Sequence, residues 1–341
     1  MSNTAWETLS NQAVATAGVV YFLALVVYLA EWASLRQPAA DRELVGAGAA
    51  ADAPTAAEPE PEGARTAFLG RLGILLTSIA CAAHFVALAG RGMAADPNRV
   101  PWGNMYEFTL SGTFVVALLY VVLYKKFALG WMGPLVVGFV VATLMLAVIW
   151  LYDAVAPLTE ALNSPWLVIH VVSAITATGA FTLGGIASAM YLVRMRAERR
   201  AAATERPLSR WIGRVPQLDA LDRLAYRVHA FAFPVWTFAV LITGPIWAHE
   251  AWSRYWNWDP KEVWAFITWV VYAGYLHARA TAGWKGRKAA LLALLGVATL
   301  WFNFIGINYF STTSQHSYAA ERVVDATTGL VAELPFRGRI R

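Results

Sequence analysis

Eight stretches of this 341-residue chain are apolar over the length a helix needs to cross a bilayer. They run approximately over 13–33, 68–90, 104–124, 129–152, 166–193, 228–248, 263–283 and 287–309. A hydrocarbon core about 30 Å thick takes about 20 helical residues. Inside it every backbone N–H and C=O must find a partner within the protein, which restricts spanning segments to helices or closed barrels. Runs of this length predict an all-α polytopic membrane protein, a bundle of about eight transmembrane helices. Charged residues make up only 14% of the chain and hydrophobic ones 58%, against about 25% charged in soluble globular domains. The net charge of +5 does not point to nucleic acid, because the basic residues cluster beside the apolar runs.

Lysine and arginine orient the bundle. The loops around 34–71, 125–128, 194–227 and 279–288 carry 19 basic residues, whereas those at 91–103, 153–165 and 247–262 carry four. The positive-inside rule puts the first group in the cytoplasm of a multi-pass plasma-membrane protein. Both termini and the 247–262 loop are then expected on the outer face. Residues 1–33 read as an N-terminal transmembrane helix that is retained, since no small-residue cleavage site follows it. Residues 34–66, rich in Ala, Pro and Glu, read as a disordered cytoplasmic linker. Residues 67–310 form the transmembrane core, and 311–341 an extracytoplasmic tail. The segment 218–227 is polar and periodic, which predicts a cytoplasmic surface helix leading into the sixth span. Cys81 is the only cysteine, so any dithiol chemistry must come from another protein.

Within this frame, one loop is unusual. Trp247, Trp252, Trp256, Trp258, Trp264 and Trp269 place six of the sixteen tryptophans in 23 residues. Interfacial tryptophan is common, but that accounts for one or two residues per loop. So many flat, polarisable faces beside a histidine suit a large planar apolar ligand. The loop ends on a rigid helix start: Asp259 as N-cap, Pro260 at the first position and Glu262 completing a capping box. Asn104 and Glu107, and Ser164 with Pro165, mark two further capped entries on the same side.

The run Glu250-Ala251-Trp252 through Trp256-Asn257-Trp258-Asp259-Pro260-Lys261-Glu262 resembles the Trp-rich "WWD" domain of heme-handling proteins. In particular it resembles the CcsA/ResC-type subunit of the system II cytochrome c synthase. Ser253 stands where that pattern usually has Gly, and His249 where it usually has Asn. Pro101-Trp102-Gly103-Asn104-Met105-Tyr106-Glu107 is similar to a second stretch of the family.

The resemblance implies heme transport across the membrane and presentation to apocytochrome c for thioether attachment. The chain would be the heme-handling subunit of a holocytochrome c synthase (heme lyase) complex. The implied cofactor is heme b, and the implied partners are a ResB-type membrane subunit, apocytochrome c and a thioredoxin-like thiol reductant. The family's two outer axial ligands carry over to His170, in Trp166-Leu167-x-x-His170, and His316, in His316-Ser317-Tyr318. Its intramembrane ligand carries over to His277, in Tyr275-Leu276-His277, completed by a histidine of the partner subunit. At 1.5 Å per residue His277 lies roughly 26 Å along its span from Pro260. His229 lies at similar depth as an in-chain alternative, and His84 is a candidate for packing. Trp247, Trp252, Trp256, Trp258 and Asp259 are the expected heme-contacting residues of the loop. No nucleophile or acid–base pair is legible, so the protein's share of catalysis is expected to be orientation. Two other readings remain: a system I-type heme chaperone or export subunit, and a diheme electron-transfer membrane cytochrome.

Overall fold

The computed structural model describes residues 1–35, 62–156, 162–311, 314, 321–324 and 331–334. Eight long helices dominate it: α1 (Asn3–Ala33), α2 (Glu62–Ala94), α3 (Met105–Leu123), α4 (Leu129–Leu151), α5 (Pro165–Thr204), α6 (Leu218–Trp252), α7 (Pro260–Ala280) and α8 (Arg287–Gly306, continued by Ile307–Phe310). Seven of these, all but α7, are apolar and long enough to cross a membrane. The 21 residues of α7 would still reach about 32 Å, with Lys261, Glu262, His277 and Arg279 near its ends. The chain is a multi-pass membrane bundle. A two-stranded antiparallel sheet, β1 (Glu321–Val324) with β2 (Val331–Leu334), is the one sheet among the described residues, with Glu321 opposite Leu334. The linker expected at 34–66 falls largely outside the described residues, and α2 begins at Glu62.

Small residues set the packing of α1 on α2 and α4. The buried face of α1 repeats at helical spacing through Ala13, Ala17, Gly18, Tyr21, Ala24 and Tyr28, the pattern that lets membrane helices approach closely. A Cβ at Gly73 or Gly133 would sit 2.6 or 2.5 Å from the Tyr28 ring, so glycine is required there. Tyr28 meets Tyr120 of α3 hydroxyl to hydroxyl at 3.2 Å. Glu31, at the far end of α1, pairs with Arg214 at 2.6 Å and ties the short helix Arg210–Arg214 to the bundle.

The polar segment 218–227 is continuous with α6, giving one helix of 35 residues. It is pinned by Asp222, which takes both arms of Arg279 at 2.7 and 3.0 Å and the N–H of Gly286 at 3.0 Å. α6 also runs on to Trp252, so the Trp-rich stretch is half helix. The connection from Ser253 to Asp259 has only seven residues. The helices α4, α6 and α8 each widen into a π turn, at Ala147–Leu151, Phe238–Thr243 and Phe302–Gly306. Such turns recur at functional sites.

Candidate functional site

The end of the bundle that carries the Trp-rich stretch is held by a buried charge cluster. Asn104 caps α3 by accepting from the Glu107 N–H at 2.9 Å, which turns the Glu107 carboxylate back over the helix start. That carboxylate is fully buried and accepts from Arg91 Nε at 3.0 Å, from both terminal nitrogens of Arg99 at 2.7 and 3.2 Å, and from the Gly103 N–H at 2.6 Å. Arg91 also lies over the Tyr106 ring and donates to the Asp153 carbonyl, while Arg99 reaches the Ala156 carbonyl at 3.0 Å. The ends of α2, α3 and α4 are thereby locked together. Beside this knot Trp102, Leu167, Val171 and Trp247 form a small apolar core, with Trp166 and Trp252 packed on it.

A cavity of about 190 Å³ lies between α3, α5, α6, α7 and α8, with Phe139 and Thr143 contributed by α4. Its wall is largely apolar and includes His170, Trp247, Tyr255, Trp256, Lys261, Glu262 and Asn303. His170 stands one turn into α5, whose start is set by Ser164 accepting from the Trp166 N–H at 3.1 Å and by Pro165. The imidazole lies 2.9 Å through Nδ1 from the Ala239 carbonyl and stacks on Trp247 with centroids 5.8 Å apart and planes 13° from parallel. A carbonyl only accepts, so the neutral ring carries its proton on Nδ1 and its lone pair on Nε2. Metal-ligating histidines show this arrangement, the second nitrogen donating to a carbonyl or carboxylate. On the α8 side Asn303 is buried, and its Oδ1 has no hydrogen-bond partner among the described residues.

The tryptophans divide by role. Trp247 and Trp256 line the cavity. Trp252 packs edge-on behind Trp247 at 4.9 Å, and Trp258 meets Trp256 edge-on at 5.9 Å while remaining 74% exposed. Trp258 also holds φ at 57°, a left-handed conformation that is uncommon for a bulky residue. Glu262 stabilises it from both sides, accepting from Asn257 N–H at 2.9 Å and Asp259 N–H at 3.1 Å. Asp259 is buried as the cap of α7, with Oδ1 accepting from Lys261 N–H and Ser314 Oγ–H, each at 2.8 Å. Its carboxylate serves the helix start rather than the cavity wall.

The other described histidines do not line this cavity. His249 is exposed and stacks on Tyr255 at 4.3 Å. His84 is buried between Tyr21 and Phe114. His229 is fully buried among Phe181, Tyr272 and Tyr275, with Nε2 3.5 Å from Ser188 Oγ. His277 is exposed on α7. It lies about 200° round the helix from Tyr275, so it and His229 belong to different faces. His316 lies outside the described residues. The sequence reading missed the Ala239 carbonyl, the Arg91–Glu107–Arg99 cluster and Asn303. In the sequence Glu107 reads only as part of a helix start, and no local pattern marks a carbonyl.

The family described as "Cytochrome C assembly protein" matches residues 102–314, a range that takes in the cavity and the Trp-rich stretch. The cytochrome c biogenesis protein CcsA of Guillardia theta is 33% identical over 260 residues, covering 72% of this chain and 85% of that protein. The protein of the same name from Trieres chinensis is 30% identical over 280 residues, covering 73% and 87%. Among solved structures, cytochrome c heme lyase CcmF superposes with a TM-score of 0.55 at 16% identity, over 90% of this chain. At that identity the likeness is one of fold, and this chain spans about half (49%) of that structure's length.

Proposed function

The chain belongs to the cytochrome c assembly protein family, and on that premise we propose that it takes up heme b as cargo within the membrane and holds it at the Trp-rich end for attachment to apocytochrome c. Its role is heme handling in cytochrome c maturation, of the CcsA type. The observation that carries the site is the His170 imidazole, set on an aromatic wall with Nδ1 against a backbone carbonyl. That leaves Nε2 as the nitrogen with the chemistry of an axial ligand.

The residues fit such a guest. Trp247 and Trp256 offer flat apolar faces, and the buried Asn303 amide offers a polar contact from α8. At about 190 Å³ the cavity is below the roughly 300–1,000 Å³ usual for ligand pockets. Entry of a tetrapyrrole therefore requires the cavity to widen. The second axial ligand is His316. Ser314, two residues earlier in sequence, is bonded to Asp259 at the start of α7, beside Lys261 and Glu262 of the cavity wall, and this supports the reading.

Bound heme supplies the iron and the vinyl groups that react with the thiols of apocytochrome c. This chain's residues bind and orient it and exclude water. The Trp-rich end faces out of the cytoplasm, on the charge asymmetry of the loops. Exposed His277 is the ligand of a second heme position near the cytoplasmic side. Its other ligand comes from a ResB-type membrane subunit, since His229 is enclosed by aromatic rings on a different face. A thioredoxin-like reductant keeps the acceptor thiols reduced. The test is the absorption spectrum of purified protein carrying His170→Gly, His316→Gly or both. Loss of the low-spin bis-imidazole spectrum, with partial recovery on adding imidazole, is expected. A native spectrum and normal cytochrome maturation in the double variant would refute the assignment.

A further inference from the structure

We infer that the π turn of α6, together with Gly244, is a positioning device for His170, and that Gly244 is a glycine because the imidazole rests against it. The inference rests on the reading of His170 as a heme ligand.

In a regular α-helix the carbonyl of residue 239 would be bonded by the N–H of residue 243. Across Phe238–Thr243 the bonding slips by one residue, and the Ala239 carbonyl is instead met by the Gly244 N–H. Two side chains converge on the same oxygen: His170 Nδ1 at 2.9 Å and Thr243 Oγ1 at 3.1 Å. The one Thr243 hydroxyl proton is shared with the Phe238 carbonyl at 3.2 Å, so the Ala239 oxygen serves the Gly244 N–H, the imidazole of a neighbouring helix and part of a hydroxyl. The widened turn makes this carbonyl available to α5.

Gly244 sets the distance. A Cβ there would lie 3.0 Å from the Ala239 oxygen and 3.2 Å from both Cε1 and Nδ1 of His170. Each is tighter than ordinary van der Waals contact, so an L side chain makes the ring or the turn give by a few tenths of an ångström, which lengthens the bond from the ring to its carbonyl. Trp247, stacked on the ring, limits where the ring can go. The proton is thereby kept on Nδ1 and the lone pair on Nε2, at a fixed position in the wall.

The experiment uses full-length protein stripped of heme and titrated with hemin, comparing wild type, Gly244→Ala and Gly274→Ala. A Cβ at Gly274 would meet nothing within 4 Å, so that variant reports the general cost of removing a helical glycine. Gly244→Ala is expected to lower heme affinity about tenfold, the lower end of what losing an outer partner of a metal-bound histidine costs. It should also raise a high-spin component that imidazole suppresses, while Gly274→Ala behaves as wild type. Native affinity and spectrum in Gly244→Ala, with His170→Gly clearly impaired, would overturn the positioning role and leave the ligand reading standing. A native His170→Gly protein would overturn both.

If Gly244→Ala does not fold, Thr243→Val decides the matter. It removes the hydroxyl shared between the Phe238 and Ala239 oxygens, at 3.2 and 3.1 Å, without adding bulk beneath the ring. The Nδ1–H bond then strengthens, the imidazole becomes more electron-rich, and the heme potential must fall. An unchanged potential would refute the inference.

Discussion

Replacing Glu107 with Ala should destabilise this protein more than almost any other single polar substitution. The carboxylate is fully buried and accepts four hydrogen bonds, three of them from arginines. Bonds to charged groups are worth about 1.5–3 kcal/mol each, which sets an upper limit near 9 kcal/mol for the three. The arginines keep other contacts, however. Arg91 retains the Asp153 carbonyl, the Tyr106 face and Glu7 at 3.9 Å, and Arg99 retains the Ala156 carbonyl. The net loss is therefore about 3–5 kcal/mol, the usual cost of leaving a buried charge without its counter-ion. A loss of 4 kcal/mol changes the folding equilibrium about a thousandfold. Glu107→Gln keeps the shape and loses the charge, and should cost about 1.5–3 kcal/mol. The assay is the monodisperse fraction remaining after stepwise heating in detergent, since unfolding of such a protein is read best as a rate of loss. The three proteins should rank wild type, Gln, Ala. If Glu107→Ala survives heating like wild type, the cluster does not hold these helix ends and the reasoning fails.

Trp256→Ala should lower heme occupancy by opening the cavity wall, whereas exposed Trp258→Ala should leave occupancy unchanged; pyridine hemochrome per polypeptide measures both, and equal losses would refute the division of roles. Ser253 holds φ at 57° as the cap of α6, so Ser253→Gly should stabilise the protein by about 1 kcal/mol, read as a slower thermal loss. His277→Ala should keep wild-type stability but lose heme when co-purified with the partner subunit. His229→Ala should instead cost about 2–4 kcal/mol from the void left among Phe181, Tyr272 and Tyr275, with heme retained. If His229→Ala alone empties the inner position, the partner does not supply the ligand.

The eight helices were legible in the chain because each apolar run must satisfy its own backbone in lipid, a requirement that acts locally. Their starts were legible for the same reason. Asn104, Ser164 and Asp259 cap the helices they precede through bonds spanning two or three residues. The family, and with it His170 as a candidate, could be read from short motifs. The tertiary structure decided what depends on residues far apart in sequence. The split between cavity-facing Trp247 and Trp256 and the outlying Trp252 and Trp258 follows from where α6 ends and how Glu262 bends the chain at Trp258. Glu107 became a hub only when α2 brought Arg91, and the following segment Arg99, against it. The partner of His170 is a carbonyl 69 residues away, exposed by a slip in helical bonding that no side-chain pattern encodes. Local sequence determines which segments are helical and how they begin, because those bonds close within a turn. Which atoms meet across helices is decided by packing, because those bonds exist only once the bundle has formed.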